Sequence, residues 1–167
     1  MKNLLQRLPF LTNLEPGKEY FFDSTAEFSV HEIIDTIVRQ YGLCELKVAS
    51  FSIGETTLRI LFNLAESGLV SKLSCLFDIS VKRDKLGLLF FAVKTGLEVS
   101  LTKNHAKLVI ISGENLKAVI ITSANLQVND KNEVGIISTN ENYIGYFDQV
   151  FDKWFASGLK ITANEFE

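Results

Sequence analysis

The sequence predicts an α/β fold in which a mixed β-sheet is sandwiched between helices. Three observations lead to this prediction: strands and helices alternate in the first half of the chain, four short β-type segments follow in succession, and an amphipathic helix comes last. The length of 167 residues is that of one domain. We expect residues 1–167 to form a single domain, with residues 1–18 as an N-terminal extension.

Two helices are predicted from apolar spacing and from their start signals. Residues 30–41 repeat apolar side chains at i, i+3, i+4 and i+7, and Ser29 and Glu32 have the spacing of a capping box. Ser52 and Glu55 have the same spacing before a second apolar stripe. Both helices are expected to end at glycines.

Two later helices differ in the kind of surface they predict. Residues 84–95 are apolar on almost every side, which predicts a well-buried helix. The last helix carries a largely aromatic stripe, which we expect to pack in the core or in a dimer contact: Tyr143, Phe147, Val150, Phe151 and Trp154.

The strands are predicted from period-two alternation and from short apolar runs between turn residues. Six segments have these properties: 46–53, 73–79, 97–101, 107–111, 118–122 and 134–138.

Composition excludes several classes of protein. The longest apolar run, residues 86–93, is far shorter than the roughly 20 residues of a membrane-spanning helix, and no secretory signal is apparent. Cys44 and Cys75 lie in apolar surroundings outside any CxxC motif, which predicts reduced core thiols, a cytoplasmic location and no structural zinc site. The net charge of −3 argues against strong attraction of nucleic acid to the whole surface, although a local basic groove is compatible with it.

The candidate functional residues begin at the fourth of these strands. His105 and Lys107 lie two residues apart at its start, so both side chains leave the same face. A turn is predicted at residues 112–115, and a hairpin closed there would return the next strand to the neighbourhood of His105. Ser123 and Asn125 would then lie beside the imidazole and the ammonium.

These residue types suit the binding and chemistry of a phosphate group. An imidazole with an ordinary pKa of about 6.5 can attack phosphorus or transfer a proton near neutral pH. Lys107 would neutralise non-bridging oxygens, and Ser123 and Asn125 would donate hydrogen bonds to the charge of the transition state. Glu133, at the start of the following strand, would accept a hydrogen bond from His105 and fix its tautomer.

The order His105-x-Lys107, Ser123-x-Asn125 and Glu133 resembles the half-site of the phospholipase D superfamily, the HKD phosphodiesterases. The chain looks most similar to the single-motif branch associated with nucleases and helicases. The resemblance covers most of the chain. It implies a phospholipase D-like domain, with a mixed β-sheet sandwiched between helices.

The resemblance also implies roles for individual residues. Ser123 and Lys103 would contact the substrate. The catalytic set would be His105, Lys107, Asn125 and Glu133. The family motif continues with an Asp five residues after Lys107, where this chain has Ser112, and this departure bears on catalysis rather than on the fold.

The mechanism that the resemblance implies uses two histidines and no metal or other cofactor. One histidine attacks phosphorus to form a phosphohistidine, the second protonates the leaving oxygen, and water releases the product. Because the chain has one HxK motif, a complete site requires a homodimer with a two-fold axis. The leading hypothesis is therefore a metal-independent phosphodiesterase, a nuclease acting on DNA or RNA and not on a membrane.

Two alternatives stay open. Loss of the motif Asp would leave a catalytically degenerate module of the same fold that binds the phosphate backbone of nucleic acid. A phospholipase ranks last, because the sequence shows no exposed amphipathic segment for a lipid interface. The other histidine, His31, has polar neighbours at the start of a helix and is expected to be solvated.

Overall fold

The computed structural model describes residues 2–128 and 130–166, which form one eight-stranded β-sheet with helices on both faces. The strands are β1 (Glu19–Thr25), β2 (Cys44–Ser50), β3 (Val70–Asp78), β4 (Glu98–Thr102), β5 (Leu108–Gly113), β6 (Lys117–Thr122), β7 (Asn132–Ser138) and β8 (Leu159–Ile161). The α-helices are α1 (Lys2–Arg7), α2 (Val30–Tyr41), α3 (Glu55–Glu66), α4 (Ser80–Asp84), α5 (Leu86–Lys94) and α6 (Glu141–Ser157). Short 3₁₀ helices occur at Pro9–Thr12 and Ala163–Phe166.

The sheet is mixed, with the strand order β1-β7-β6-β5-β2-β3-β4-β8. Strands β2, β3 and β4 are parallel to one another, and every other neighbouring pair is antiparallel. The predicted α/β class and its mixed sheet between helices are confirmed.

Each face of the sheet has its own hydrophobic core. On one face the larger core joins α2, α3 and α5 to the sheet, and leucines of the N-terminal segment pack into it: Leu4, Leu8, Leu11 and Leu14. On the other face α6 covers a smaller core with Ile144 and Phe151. Residues 1–18, expected as an extension, thus supply apolar side chains to the main core over the described part of that segment.

Helix α2 begins and ends as its sequence predicts. The Glu32 carboxylate accepts a hydrogen bond from the Ser29 N–H at 2.7 Å, which is one half of the capping box. At the other end, Gly42 has a φ of +86°, and its N–H donates to Val38 O at 2.9 Å. Ile33, Ile34 and Ile37 are fully buried against the sheet and α3.

His31 is buried, and the expectation of a solvated histidine is wrong. The residue is 4% exposed, and its Nδ1 lies 3.0 Å from the Thr57 Oγ1 of α3. Burial lowers the pKa of His31 below 6.5, although Glu32 and Asp35 act in the opposite direction. The polar neighbours of His31 in the sequence do not indicate its exposure, because the packing of α3 on α2 determines which side of the first helical turn is buried.

Helix α3 begins without the predicted capping box. Gly54 precedes its first residue, and no side chain caps it; instead the Ser52 carbonyl accepts a hydrogen bond from Ser50 Oγ at 2.5 Å. The Gly54 N–H donates to Leu126 O at 2.8 Å, and a Cβ on Gly54 would lie 3.0 Å from the Gln127 Cβ. The start of α3 is therefore set by a close approach of the loop after β6, which local spacing does not encode.

A helix forms within the predicted range 84–95, as α5, but the prediction that it is well buried is wrong. Two helices, α4 and α5, meet at Lys85, and within α5 only Leu89 and Ala92 are buried. Leu86 and Phe90 are 50% and 40% exposed. A sequence that is apolar on all sides carries no information about which side faces the core.

Among the described residues, no helix is both long and apolar enough to cross a bilayer.

Strands β1 and β8 were not predicted. Strand β1 pairs only with β7 and buries just Phe22 and Ser24, so its apolar signal is weak. Strand β8 has three residues and pairs with the edge of β4. Both lie at the two margins of the sheet, where long-range pairing determines whether a segment becomes a strand.

We predict that His31 makes the stability of the chain depend on pH. Because its folded pKa lies below the unfolded value of 6.5, the unfolded chain takes up this proton first. The neutral, buried imidazole therefore stabilises the fold fully above pH 6.5, and that contribution is lost as the pH falls toward the folded pKa. In His31→Gln the free energy of unfolding, measured in urea from pH 7.5 to 5, should depend less on pH than in the parent chain.

Replacement of the histidine's partner provides the control for this prediction. Thr57→Val keeps the shape of the buried side chain but removes the hydroxyl, so it should destabilise the fold by about 1–3 kcal/mol over the same pH range. Equal pH slopes in the parent chain and in His31→Gln would show that other groups are responsible.

Candidate phosphate-binding site

One end of the sheet collects the predicted functional residues. Strands β2, β3, β4 and β6 end there, whereas β5 and β7 begin there, because β5 and β7 run antiparallel to their neighbours. We call it the His105 end. Residues that are distant in the sequence meet at this end, since loops after β2, β3, β4 and β6 all cross it.

His105 and Lys107 lie side by side, as their spacing predicts. The Lys107 Nζ is 3.2 Å from His105 Nδ1 and donates to the His105 carbonyl oxygen at 2.9 Å. The imidazole is exposed, while Lys107 is half-buried. Burial lowers the pKa of Lys107 below its ordinary value, and the nearby Glu133 carboxylate opposes this shift. An ammonium and an imidazole thus share one surface that an anion can reach.

The His105 ring also contacts Phe51, which follows β2. The two ring centroids are 5.2 Å apart at an interplanar angle of 52°. Phe51 is itself 37% exposed. The imidazole is therefore supported on one side by an aromatic ring and open to solvent elsewhere.

The loop that carries His105 is held by Asp78 and Asn104, which the sequence analysis missed. Asp78, the last residue of β3, accepts hydrogen bonds from the Asn104 N–H at 3.0 Å and from the Ser80 N–H at 2.9 Å. The buried Asn104 accepts the Ala106 N–H at 3.0 Å. Partial burial acts to raise the pKa of Asp78, but the hydrogen bonds from Ser80 and Asn104 outweigh it and lower the pKa. The backbone before His105 is thereby tied to a carboxylate of β3, and the backbone after it is tied to the side-chain oxygen of Asn104.

Ser123 reaches the site through the predicted hairpin. Strands β5 and β6 pair antiparallel, and the Thr122 N–H donates to the Lys107 carbonyl at 3.2 Å. Ser123 follows directly, and its hydroxyl donates to the Glu133 carboxylate and accepts the Val134 N–H at 3.0 Å. Ser123 and Glu133 thus form one hydrogen-bonded pair beside Lys107.

Glu133 was expected to hold the tautomer of His105. Its contact at this end is the Ser123 hydroxyl, while the His105 ring nitrogens lie against Lys107. The pairing of His105 with Glu133 therefore stays a prediction about the occupied or assembled site. The carboxylate is close enough to Lys107 to act on its pKa.

Asn125 lies in the loop between β6 and β7, next to the end of β2. Its neighbours Ala124 and Leu126 are buried, and the Leu126 N–H donates to Ser50 Oγ at 3.1 Å. Asn125 Oδ1 is buried and has no hydrogen-bond partner among the described residues. The side chain does not line the cavity beside His105, so its direct contact with a phosphate is still a prediction.

A cavity of about 440 Å³ opens beside the histidine. His105, Lys107, Thr122 and Ser123 form its polar side, and the rest of its wall is apolar: Ala106, Leu108, Ile121, Phe147 and Trp154. A smaller cavity of about 210 Å³ adjoins it and is lined by Lys103 together with His105 and Trp154. The two predicted substrate contacts, Ser123 and Lys103, thus lie on either side of His105.

Ser112, the residue at the family's Asp position, is far from this cavity. It lies on β5, five residues beyond Lys107, which is about 17 Å along a strand. There it pairs with Glu45 and Lys117 at the opposite end of the sheet. Glu114 lies beyond it, at a larger cavity of about 610 Å³ at that opposite end. Neither side chain can contact a phosphate held by His105.

The described residues offer no metal centre. Within residues 2–128 and 130–166, no three histidine, cysteine, aspartate or glutamate side chains cluster closely enough to hold a metal ion. Cys44 and Cys75 are buried free thiols, and burial raises their pKa values to about 11 and about 12.

Comparison with known proteins identifies the fold. No protein-family model matches the sequence, and no curated protein matches it. Among solved structures, Nuc from Salmonella typhimurium, a phospholipase D family member, is similar with a TM-score of 0.67 and 13% identity over 87% of this chain and 99% of that one. NucT from Helicobacter pylori has a TM-score of 0.68 and 16% identity over 86% of this chain and 99% of its own.

A third similar structure is TrmBL2, an archaeal chromatin protein described as showing a novel mode of DNA binding. It has a TM-score of 0.62 and 15% identity, over 96% of this chain and 60% of that protein. At such low identities the similarity concerns the fold alone. The chain has the fold of the phospholipase D superfamily, as its HxK and Ser-x-Asn motifs predict.

Proposed function

We propose that this chain is a metal-independent phosphodiesterase of nuclease type, which acts as a homodimer through a phosphohistidine on His105. The observation that carries the proposal is the meeting of His105, Lys107 and Ser123 on one open cavity, where the segment just before β5 lies beside the residue just after β6. Because these three groups present a nucleophile, a cation and a hydroxyl, they match the needs of a phosphodiester.

The reaction begins when an imidazole nitrogen of His105 attacks phosphorus. The P–N bond forms as the bond from phosphorus to the leaving oxygen breaks, and the histidine of the second subunit gives its proton to that oxygen. Water then attacks phosphorus and loses a proton to the second histidine, the P–N bond breaks, and both imidazoles regain their starting forms. Lys107 offsets the negative charge of the non-bridging oxygens, with hydrogen bonds from Ser123 and Asn125. Glu133 orients the imidazole that bears the proton.

In this proposal the second histidine comes from another copy of the chain. The sequence contains two histidines, and His31 is buried between α2 and α3, in the core on the opposite face from α6. It is therefore excluded as the proton donor. A two-fold axis next to the cavity would place two copies of His105 on one phosphate.

An apolar surface beside the cavity supports such a dimer. On the sheet face that carries α6, but beyond the part that α6 covers, Phe21 of β1 and Val134 of β7 are 76% and 62% exposed. Phe21 lies opposite Ile136 in the β1–β7 register, and Ile136 lies opposite Ile121, which lines the cavity. A continuous apolar strip therefore leads to the site.

The second candidate function is a module that binds the nucleic-acid backbone without hydrolysis. The fold similarity to TrmBL2, whose description reports DNA binding, favours it. However, Ser112 lies far from His105, so the absence of the motif Asp at this position would not inactivate the site directly. A phospholipase is the third candidate, and the exposed Leu86 and Phe90 of α5 weaken the sequence argument against a lipid interface.

We predict that His105→Ala lowers hydrolysis of bis(p-nitrophenyl) phosphate by roughly a thousand-fold or more in excess chelator, because it removes the nucleophile. Release of nitrophenolate measures the rate. Lys117→Ala, a lysine at the other end of the sheet, is the control and should retain the parent rate. Salt-sensitive DNA binding without any hydrolysis would favour the binding module, and hydrolysis of phospholipid vesicles without action on DNA would favour the phospholipase.

We predict that Asp78→Ala lowers kcat about 10- to 100-fold, because the loop around His105 loses its carboxylate anchor. The value of KM for the aryl phosphodiester should change less than kcat, since Asp78 does not line the cavity. Asp84→Ala is the matched control, because Asp84 is an exposed carboxylate that pairs with its neighbour Arg83. An unchanged kcat in Asp78→Ala would show that the loop keeps its geometry without this anchor.

We predict that Phe21→Asp separates the dimer and abolishes hydrolysis while leaving the subunit folded. The side chain is largely exposed in one subunit, so the change should shift the free energy of unfolding by no more than about 0.5 kcal/mol. Sedimentation equilibrium measures the assembly. Leu43→Asp, an exposed leucine outside this strip, should leave both dimer and rate unchanged. A parent chain that is monomeric yet active would exclude the shared site.

A further inference from the structure

Two aromatic side chains of α6 line the same cavity as the candidate catalytic groups. Phe147 and Trp154 lie seven residues apart, two turns of one helix face, and both border the cavity beside His105. The sequence predicts that the aromatic stripe of this helix packs in the core or in a dimer contact. Phe151 is indeed buried, but Trp154 is 38% exposed and also lines the smaller cavity with Lys103.

The cavity is larger and more apolar than a phosphate requires. A phosphodiester group needs the polar side, which His105, Lys107 and Ser123 supply. The remaining wall consists of Phe147, Trp154 and aliphatic side chains, which provide no charged group for a phosphate. A flat aromatic group attached to that phosphate would fill this part and stack on the rings.

The aromatic wall is mounted on a fixed part of the fold. At the end of α6, the Phe155 carbonyl accepts a hydrogen bond from Ser100 Oγ of β4 at 2.9 Å, and the Trp154 carbonyl accepts the Gly158 N–H at 3.1 Å. A Cβ on Gly158 would lie 2.3 Å from Ser100 Oγ, so α6 and β4 are in close contact here.

The middle of α6 is also attached to the sheet. Lys47 of β2 forms ion pairs with Asp148 and Asp152, each at 2.7 Å, and its Nζ lies 5.8 Å from the centroid of the Phe151 ring. The backbone that carries Phe147 and Trp154 is therefore held at both positions. The rings are in place before any ligand binds.

We propose that this cavity binds one unpaired nucleobase next to the scissile phosphate, so that the substrate is single-stranded nucleic acid. The inference rests on the proposed function, which places the scissile phosphate at His105. It adds the nucleobase, which Trp154 and Phe147 contact. In a duplex both faces of a base are covered by its neighbours, and the base enters a pocket only at the cost of unstacking. Stacking on aromatic rings is available to every base, so the preference is for strandedness and not for sequence.

The charge at the cavity agrees with this occupant. Lys107 and Lys103 lie on either side of His105, at the two cavities that Trp154 separates. A nucleotide placed with its base on Trp154 would have phosphates on both sides of its sugar, within reach of these two lysines. If a second copy of the chain filled the cavity instead, it would have to place an acidic or apolar side chain beside these lysines and Trp154.

Trp154 is the only tryptophan of the chain, so its fluorescence reports on the two adjoining cavities that it lines. The experiment uses full-length His105→Ala, which binds without cleavage, and three labelled probes: a single-stranded oligonucleotide, its duplex, and a single strand of equal length made of abasic units. We expect the single strand to quench the emission and to bind about 5- to 150-fold more tightly than the abasic strand, the range of one base stacked on an aromatic ring. DNA and RNA forms of the single strand should behave alike.

Variants of the two rings complete the test. Trp154→Ala and Phe147→Ala should each weaken binding of the single strand and leave binding of the abasic strand unchanged, while Trp154→Phe should retain most of the affinity. Tyr143→Ala, an exposed aromatic residue of α6 that does not line the cavity, is the control. Equal affinity for the base-containing and abasic strands would overturn the inference.

The failure of the inference and that of the proposed function are distinguishable. The inference is wrong, and the occupant is a second copy, if two results are found together. Trp154→Ala converts a dimer to a monomer, and the tryptophan emission of His105→Ala depends on protein concentration but not on the oligonucleotide. If the parent chain cleaves no phosphodiester, yet bases quench Trp154 and abasic strands do not, the base site stands and the enzymatic proposal fails.

Discussion

The hairpin of β5 and β6 is the constraint on which the His105 end of the sheet depends. The Thr122 N–H donates to the Lys107 carbonyl, which aligns the end of one strand with the start of the other. This alignment brings Ser123 to Lys107 across a gap of fifteen residues in the chain, and through Ser123 it also positions Glu133. A shift of the register by one residue would turn these side chains to the opposite face of the sheet.

The parts of the site that the sequence predicted are those that local geometry determines. His105 and Lys107 share a face because side chains alternate along an extended chain, and Ser123 returns because a turn closes a short hairpin. The α/β class, the helix α2 and its ends follow from periodicity in the same way. The roles of Asn125 and Glu133 rest on residue chemistry and on the family resemblance rather than on local geometry, and both stay predictions.

The features that the sequence did not predict are those that depend on packing between distant segments. Asp78 and Asn104 are 26 residues apart, and nothing near either one indicates that β3 and the loop before β5 meet. The burial of His31 depends on α3, and the exposure of α5 depends on which of its apolar sides finds a neighbour. The exposure of Trp154 was not predicted either. A helical stripe shows which residues share a face, but it does not show which of them the neighbouring strands leave exposed.

Gly158 limits how this architecture can vary. A methyl group there would lie 2.8 Å from the Leu101 carbonyl oxygen as well as against Ser100, so any larger residue forces the C-terminal turn of α6 away from β4. Such a displacement moves Trp154 relative to the other walls of the cavity beside His105. The width of this cavity is therefore governed by a residue that does not line it, and chains of this architecture can change the cavity through the position of one helix end while every side chain that lines it stays the same.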